Sequence, residues 1–301
     1  MIKSISEQNE LRKFNLRDEC IKIEDFLVMS VISYDYGYQR GTTSIEGYVA
    51  NNFLDWHLRG THTDIYTMRN FLGIDGGALR SDSASDFTAF NFFQYAYNLA
   101  YAVNEAFFRP DGKKLHPKGH NYYIYDSDES KIIAIGQNIR AVLRSYGMQM
   151  EFDEDKSEYY IAYTNHLADA VASSNPSIAQ RLVEYRRIEY SNDLQRKSEI
   201  LFTLYKEIFE VEKGKSKNKL PYITEAFEKD AGFMLGEVVR HNEKVMKNKS
   251  VANKLNSMSD EEKACFYDTA YDYFVAFAAM LPCIRAKEKV KELKSEESVR
   301  A

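Results

Sequence analysis

Three adjacent polar residues near the C-terminal end, Arg240, His241 and Asn242, have the side chains best suited to chemistry in this sequence. The imidazole of a histidine can transfer a proton near neutral pH. The guanidinium of an arginine can hold a phosphate through two parallel hydrogen bonds. The functional interpretation is therefore a polar cluster at a cleft, where His241 moves a proton and Arg240 binds a phosphate.

The segment that carries this cluster has the periodicity of an amphipathic helix. Residues at intervals of three and four positions form one stripe, made of Leu220, Ile223, Phe227, Ala231, Met234, Val238, His241 and Val245. His241 is the one polar member, so we expect it where the helix faces its neighbours. The alternative interpretation is a core histidine that is hydrogen-bonded to a tyrosine or carboxylate of a packing helix, and the spacing alone favours it.

The distribution of charge excludes one function and permits another. The formal net charge of the 301-residue chain is −5, which excludes a protein that binds nucleic acid over its whole surface. Between Lys213 and Lys254, however, there are ten lysines and arginines against five acidic residues, a local balance of +5. This basic segment brackets Arg240 and His241 and would suit a phosphate backbone. A solvated basic face is the alternative.

The remaining composition predicts a folded protein of the cytoplasm. Apolar residues make up 44% of the chain and charged residues 28%, with 22 tyrosines and 18 phenylalanines that suit large helix interfaces. No N-terminal segment has the apolar core of an export signal, and no apolar run reaches the length of a membrane span. The three cysteines are odd in number and far apart, so we expect reduced thiols packed as small hydrophobic residues.

The pattern along the chain predicts a mainly α fold in three regions. Residues 1–110 are predicted to be helical, and residues 111–165 to form a small α/β insert. In the insert, NYYIY and KIIAI flank DSDES, and MQMEF and YYIAY flank DEDKS, so we expect two hairpins with a short helix between them. Residues 166–301 carry apolar stripes at helical spacing and are predicted to form a C-terminal bundle of three or four long helices.

Two other groups of side chains could take part in binding. His57, His62 and Asp64 could each ligate a metal, but their spacing matches no zinc pattern, and Gly60 indicates a helix end at the surface. The segment RRIEYSNDLQRK, which begins at Arg186, could contact RNA, with a solvated basic helix face as the alternative. We expect neither a metal nor a cofactor.

From about Tyr185 to Leu281, the chain resembles bacterial abortive-infection-type proteins with a HEPN-like helical bundle. The resemblance rests on the order of three helices and one tripeptide. A capped helix, NDLQRKSEILFTLYKEIFE, precedes a helix that ends in the Arg-His-Asn element VVRHNEK, and a helix with an acidic start, SDEEKACFYDTAYDYFVAFAAML, follows. Many members of the HEPN superfamily are RNases of defence or toxin systems, and their catalytic signature is commonly used across a dimer.

The chain departs from that superfamily in the catalytic signature, an arginine and a histidine separated by four to six residues on one helix. Arg109 and His116 have the required separation, but Pro110 and Gly112 lie between them and are incompatible with that helical element. The Arg-His-Asn element is therefore either a variant site or an inactive relic.

Two hypotheses of function remain, and neither involves a membrane. In the first, which the resemblance implies, the chain is a cytoplasmic defence or toxin-type homodimer that binds RNA or cleaves it without a metal. Arg240 would hold the scissile phosphate, His241 would move a proton as the 2′-hydroxyl attacks, and Asn242 would orient a neighbour. In the second, the chain is a non-catalytic helical module that senses a partner protein or a small ligand, with the 111–165 insert as its recognition surface.

Overall fold

The computed structural model describes six stretches of the chain: residues 14–36, 38–81, 84–108, 121–209, 225–242 and 254–300. They are mostly helical with small antiparallel sheets, which confirms the mainly α class. Contacts divide the chain into two compact units, Met1–Ala162 and Tyr163–Ala301. Within the six stretches, no helix combines the length and apolar character that crossing a bilayer requires. The HEPN-like build of the C-terminal bundle remains a prediction.

The first unit combines helices with short strands. Its helices are α1 (Leu16–Leu27), α2 (Ile45–Asn51), α3 (Ile65–Phe71), α4 (Gly76–Arg80), α5 (Asp86–Phe108) and α6 (Asp126–Ser145). The strands are β1 (Ser30–Tyr36), β2 (Gln39–Ser44), β3 (Asn121–Tyr123), β4 (Met148–Asp153) and β5 (Glu158–Tyr163). One antiparallel sheet has the order β2-β1-β3, and β4 pairs with β5 in the other.

Helix α5 is the centre of the first unit because it is apolar on several sides, as a buried helix must be. Its side chains that are fully shielded from solvent occupy successive turns and are Phe92, Phe93, Ala96, Leu99 and Val103. Helices α1, α2 and α6 pack around it. Asn98 on this helix donates to the carbonyl oxygen of Tyr159 and accepts from the amide of the same residue, which ties α5 to β5.

One of the two predicted hairpins is wrong and the other is confirmed. KIIAI lies inside α6, and only Asn121–Tyr123 before it is extended. The helix forms because Ile132, Ile135 and Ile139 recur at helical spacing and are buried together. The short helix predicted to follow is the second half of the same α6. MQMEF and YYIAY pair as predicted, forming β4 and β5.

The hairpin of β1 and β2 lies in the region where the pattern predicts helices. Tyr34 stands opposite Gly41 in its register. A Cβ atom at Gly41 would lie 2.6 Å from the hydroxyl oxygen of Tyr34, so the glycine makes room for that ring between the strands. Strand β3, from the predicted insert, pairs with β1 and brings residues 121–123 into the same sheet as residues 30–44.

The second unit is helical beyond the end of β5. Its helices are α7 (His166–Ser174), α8 (Pro176–Tyr185), α9 (Leu194–Leu204), α10 (Glu225–Asn242) and α11 (Asp260–Arg300). Ser259 caps α11: its hydroxyl accepts from the amide of Glu262, and the Glu262 carboxylate accepts from the amide of Ser259. The faces of these helices meet in one core, whose fully buried members include Leu182, Leu201, Leu204, Leu235, Phe274 and Phe277.

Candidate functional site

The backbone of helix α10 ends with the three residues of the predicted cluster, Arg240, His241 and Asn242. Ala231 and Val238 on the same helix are fully buried in the core, which confirms that these stripe positions face the neighbouring helices. The side chains of the three cluster residues lie outside the described part of the structure. Their joint role in binding or catalysis stays a prediction.

The histidines and the aspartate of the weak metal pattern make contacts within the first unit. His57 Nε2 lies 2.8 Å from the carbonyl oxygen of Ser157, and the His62 ring packs on Phe71 at 5.1 Å between centroids. Asp64 caps α3 by accepting from two backbone amides at 3.0 and 2.8 Å. Among the described residues, no group of three His, Cys, Asp or Glu side chains is placed to hold a metal ion.

The segment RRIEYSNDLQRK lines a cleft of about 250 Å³ in the second unit. Arg186, Arg187 and Lys197 are not on a solvated face, because only 3%, 8% and 8% of their side chains are exposed. Each of them has a carboxylate partner, and the pairs with their nitrogen-to-oxygen distances are Arg186–Asp169 at 2.6 Å, Arg187–Glu189 at 3.0 Å and Lys197–Asp268 at 2.8 Å. These cations are therefore already paired within the fold, as buried charges must be.

Two tyrosine rings form the floor of this cleft, which we call the tyrosine cleft. The rings of Tyr185 and Tyr271 stack with centroids 4.2 Å apart and planes 6° from parallel. The Tyr185 hydroxyl donates to Asp268 Oδ1 at 2.9 Å, and the same oxygen accepts from Lys197 Nζ. Burial and the nearby charge of Asp268 raise the pKa of Tyr185, so this hydroxyl remains protonated and keeps donating at neutral pH.

Asp272 lies one helical turn after Asp268 on α11, at the exposed side of the tyrosine cleft. Within the described residues, no hydrogen bond or ion pair engages its carboxylate. Burial and then the negative charge of Asp268 raise the pKa of Asp272 above the ordinary aspartate value. A carboxyl group in this position can hold a cation when ionised and can exchange a proton with a bound ligand.

The raised pKa of Asp272 predicts a pH-dependent effect on stability. The folded protein binds this proton more tightly than the unfolded chain does, so ionising Asp272 opposes folding as the pH rises above the ordinary aspartate range. We expect Asp272→Asn to raise the melting temperature at pH 7. At a pH low enough to protonate Asp272 in both the folded and the unfolded state, the variant should differ little from wild type. Thermal unfolding followed by circular dichroism at several pH values measures this, and equal melting temperatures throughout would contradict it.

A sequence pattern could have identified the two carboxylates of the tyrosine cleft, but it could not have identified their hydrogen-bond partners. In YDTAYDYF, Asp268 and Asp272 are four positions apart and interleaved with tyrosines, just before the apolar run FVAFAAML of the same helix. Such a pair shares one helix face and does not fit an apolar stripe. The contacts with Lys197 and Tyr185 cross 71 and 83 positions in the chain, a separation on which periodicity has no bearing.

Comparison of the chain with models of protein families, with curated proteins and with solved structures finds no match. The likeness to HEPN-like proteins therefore rests on the sequence pattern alone. Function has to be argued from the chemistry of the residues that the structure places together.

Proposed function

We propose that the second unit binds a small organic cation in the tyrosine cleft and works as a ligand-sensing module, a function of the second predicted kind but with this cleft, not the 111–165 insert, as its recognition surface. The observation that carries the proposal is Asp272, a carboxylate with no hydrogen bond or ion pair among the described residues, which lies beside stacked tyrosine rings. An ammonium group can bind this carboxylate directly. The Tyr185 and Tyr271 rings cover each other, and Lys197 Nζ lies 5.3 Å from the Tyr185 centroid, so the binding energy comes from the carboxylate.

The charges of the tyrosine cleft disfavour an anionic ligand. A phosphate would have to separate Arg186 or Lys197 from its carboxylate and leave that carboxylate without its partner. Each of these pairs joins a buried cation to a partly exposed carboxylate, so separating it would forfeit a close ionic contact. The phosphate would also meet the negative charge of Asp272. A cation gains an ionic contact with Asp272 and leaves every existing pair intact.

Isothermal titration calorimetry with simple amines tests this proposal. We use 1,4-diaminobutane and spermidine as cationic probes and inorganic phosphate as the probe of opposite charge. Wild-type protein is expected to bind the amines, and Asp272→Asn to weaken binding roughly 10–100-fold, because it removes one charge-assisted hydrogen bond worth about 1.5–3 kcal/mol and keeps the side-chain shape.

The matched control is Asp230→Asn, which removes an exposed carboxylate of the second unit that does not line the tyrosine cleft. This variant is expected to bind the amines as wild type does. Equal loss in the two variants would show that the amines respond only to net charge. Preferential binding of phosphate would contradict the proposal directly.

A second candidate function is RNA binding or cleavage by Arg240, His241 and Asn242, the leading hypothesis from the sequence. The observation that supports it is that helix α10, which carries the three residues at its end, packs into the core through Ala231 and Val238. In this proposal the chain is a cytoplasmic, HEPN-like protein of a defence or toxin system, without a metal or cofactor. It acts as a homodimer or with a protein partner.

A further inference from the structure

The first unit contains a second cleft, of about 270 Å³, which has a different chemistry from the tyrosine cleft. It lies between α5 and α6, with one residue of β5, Tyr159, in its wall. We call it the α5–α6 cleft. Ligand pockets in proteins commonly measure roughly 300–1,000 Å³, so a cleft of this size suits a single ring system and its immediate substituents.

One wall of the α5–α6 cleft is an aromatic cluster centred on Tyr159. The centroid of this ring lies 4.8 Å from that of Tyr97, 4.8 Å from that of Tyr101 and 4.9 Å from that of Phe152. Each of these rings is held by its neighbours in a tilted or edge-on arrangement. The cluster is thus an aromatic surface of the kind against which a flat ring can pack.

A cation lies at the same place. The guanidinium carbon of Arg140 lies 5.3 Å from the centroid of the Tyr97 ring. Among the described residues, no carboxylate forms an ion pair with Arg140. Arginines and lysines of the tyrosine cleft are paired with carboxylates, whereas Arg140 is positioned by an aromatic ring and keeps donors for an anion.

The opposite wall has a gap where α6 passes the cluster. Gly136 lies in the interior of α6, where glycine costs about 1 kcal/mol relative to alanine. A Cβ atom there would lie 3.4 Å from Cε2 of Tyr97, an ordinary contact distance, so a larger side chain would extend into the cleft. Asn104 and Gln137, at the edge of the same cleft, supply amides that can donate and accept.

We propose that the α5–α6 cleft binds a nucleotide unit, with the base against the tyrosine cluster and the phosphate on Arg140. The ligand needs a flat aromatic ring, polar ring edges and an anionic group close to the ring. Each requirement corresponds to one feature of the cleft: the aromatic wall, the two amides and the guanidinium. A free mononucleotide and a nucleotide within single-stranded RNA share this chemistry. The proposal does not depend on the function of the second unit.

Fluorescence anisotropy and calorimetry with adenosine monophosphate, adenosine and a six-nucleotide oligoadenylate test the proposal. Adenosine is expected to bind more weakly than the monophosphate. Arg140→Gln is expected to weaken phosphate-bearing ligands roughly 10–100-fold, the loss of one charge-assisted contact, with little effect on adenosine. Arg144→Gln, an exposed arginine on the same helix outside the cleft, is expected to bind like wild type.

Two variants at Gly136 separate occupancy of the cleft from folding. Gly136→Ala is expected to bind like wild type and to melt no lower, because alanine favours the helix and its Cβ fits. Gly136→Leu is expected to abolish binding by filling the cleft, and circular dichroism verifies that it folds. Binding of the monophosphate identifies a free nucleotide as the ligand, whereas binding of the oligomer alone identifies an RNA strand.

Three outcomes would overturn the proposal. The first is that neither the monophosphate nor the oligomer binds. The second is that ribose 5-phosphate binds as tightly as the monophosphate, which would mean that the base makes no contact. The third is that a folded Gly136→Leu variant keeps wild-type affinity.

Discussion

Replacing Arg69 by alanine is expected to destabilise the first unit by about 3–5 kcal/mol. The guanidinium of Arg69 donates to Glu24 Oε1 at 2.7 Å and to Glu46 Oε1 at 2.8 Å, and it also donates to the carbonyl oxygen of Ile74. Without it, the Glu46 carboxylate would lose this cation, and Glu24 would keep only the more exposed Arg80. For a unit of this size, the loss corresponds to a melting temperature lower by roughly 6–20 °C.

The size of this effect follows from burial and from the number of elements that meet at one side chain. Arg69, Glu24 and Glu46 have side chains only 11%, 9% and 12% exposed, so water cannot replace the lost partner. They come from α3, α1 and α2, and Tyr95 of α5 adds a hydrogen bond to Glu46 at 2.9 Å. Arg69→Lys is expected to recover only part of the stability, because one ammonium group cannot reproduce the fork of a guanidinium.

Arg80 provides the matched control because it pairs with the same Glu24 from a more exposed position. Its side chain is 52% exposed, and its second partner, Asp25, is 66% exposed. Arg80→Ala is therefore expected to cost no more than about 1 kcal/mol. Urea and thermal unfolding followed by circular dichroism measure both variants. A loss of stability in Arg80→Ala equal to that in Arg69→Ala would refute the dominant role of the buried pairs.

The sequence predicts the class of the fold because periodicity is a local property. Helix α10 forms as predicted, since its apolar stripe depends on residues a few positions apart. The error at KIIAI has the same origin, because a short apolar run is compatible with strand and helix. The helix is favoured because Ile132, inside this run, is buried together with Ile139, outside it. A window of five residues does not reveal that longer helical spacing.

The sequence could not predict which cations of the two clefts are available to a ligand. Arg186 and Lys197 look like solvated or RNA-binding residues in RRIEYSNDLQRK, and the fold instead buries both beside carboxylates from other helices. Whether a cation is available for a ligand depends on partners that lie far away in the chain. The contrast with Arg140, which no described carboxylate pairs, could not be drawn from charge patterns alone.

The largest expected effect on activity belongs to His241. If the Arg-His-Asn element cleaves RNA, His241→Ala should lower the cleavage rate roughly 10²–10⁴-fold, the usual contribution of a general acid or base, with the melting temperature little changed. Arg240→Ala should give the same pattern through lost stabilisation of the phosphate, and Arg240→Lys should not fully rescue it. RNA cleavage and growth inhibition are measured beside thermal unfolding for each variant.

A packed core histidine would behave differently in the same experiment, and this difference decides between the two interpretations. His241→Ala would then cost about 1–3 kcal/mol through a lost hydrogen bond and a small cavity, and activity would fall only as far as the folded population does. His166→Ala, which removes an exposed histidine from the same unit, is the control and should change neither property. A destabilised His241→Ala protein whose folded fraction keeps full activity would end the catalytic hypothesis. Wild-type protein that neither cleaves RNA nor inhibits growth would favour ligand sensing as the function of the second unit, because none of the described residues that line the tyrosine cleft belongs to helix α10.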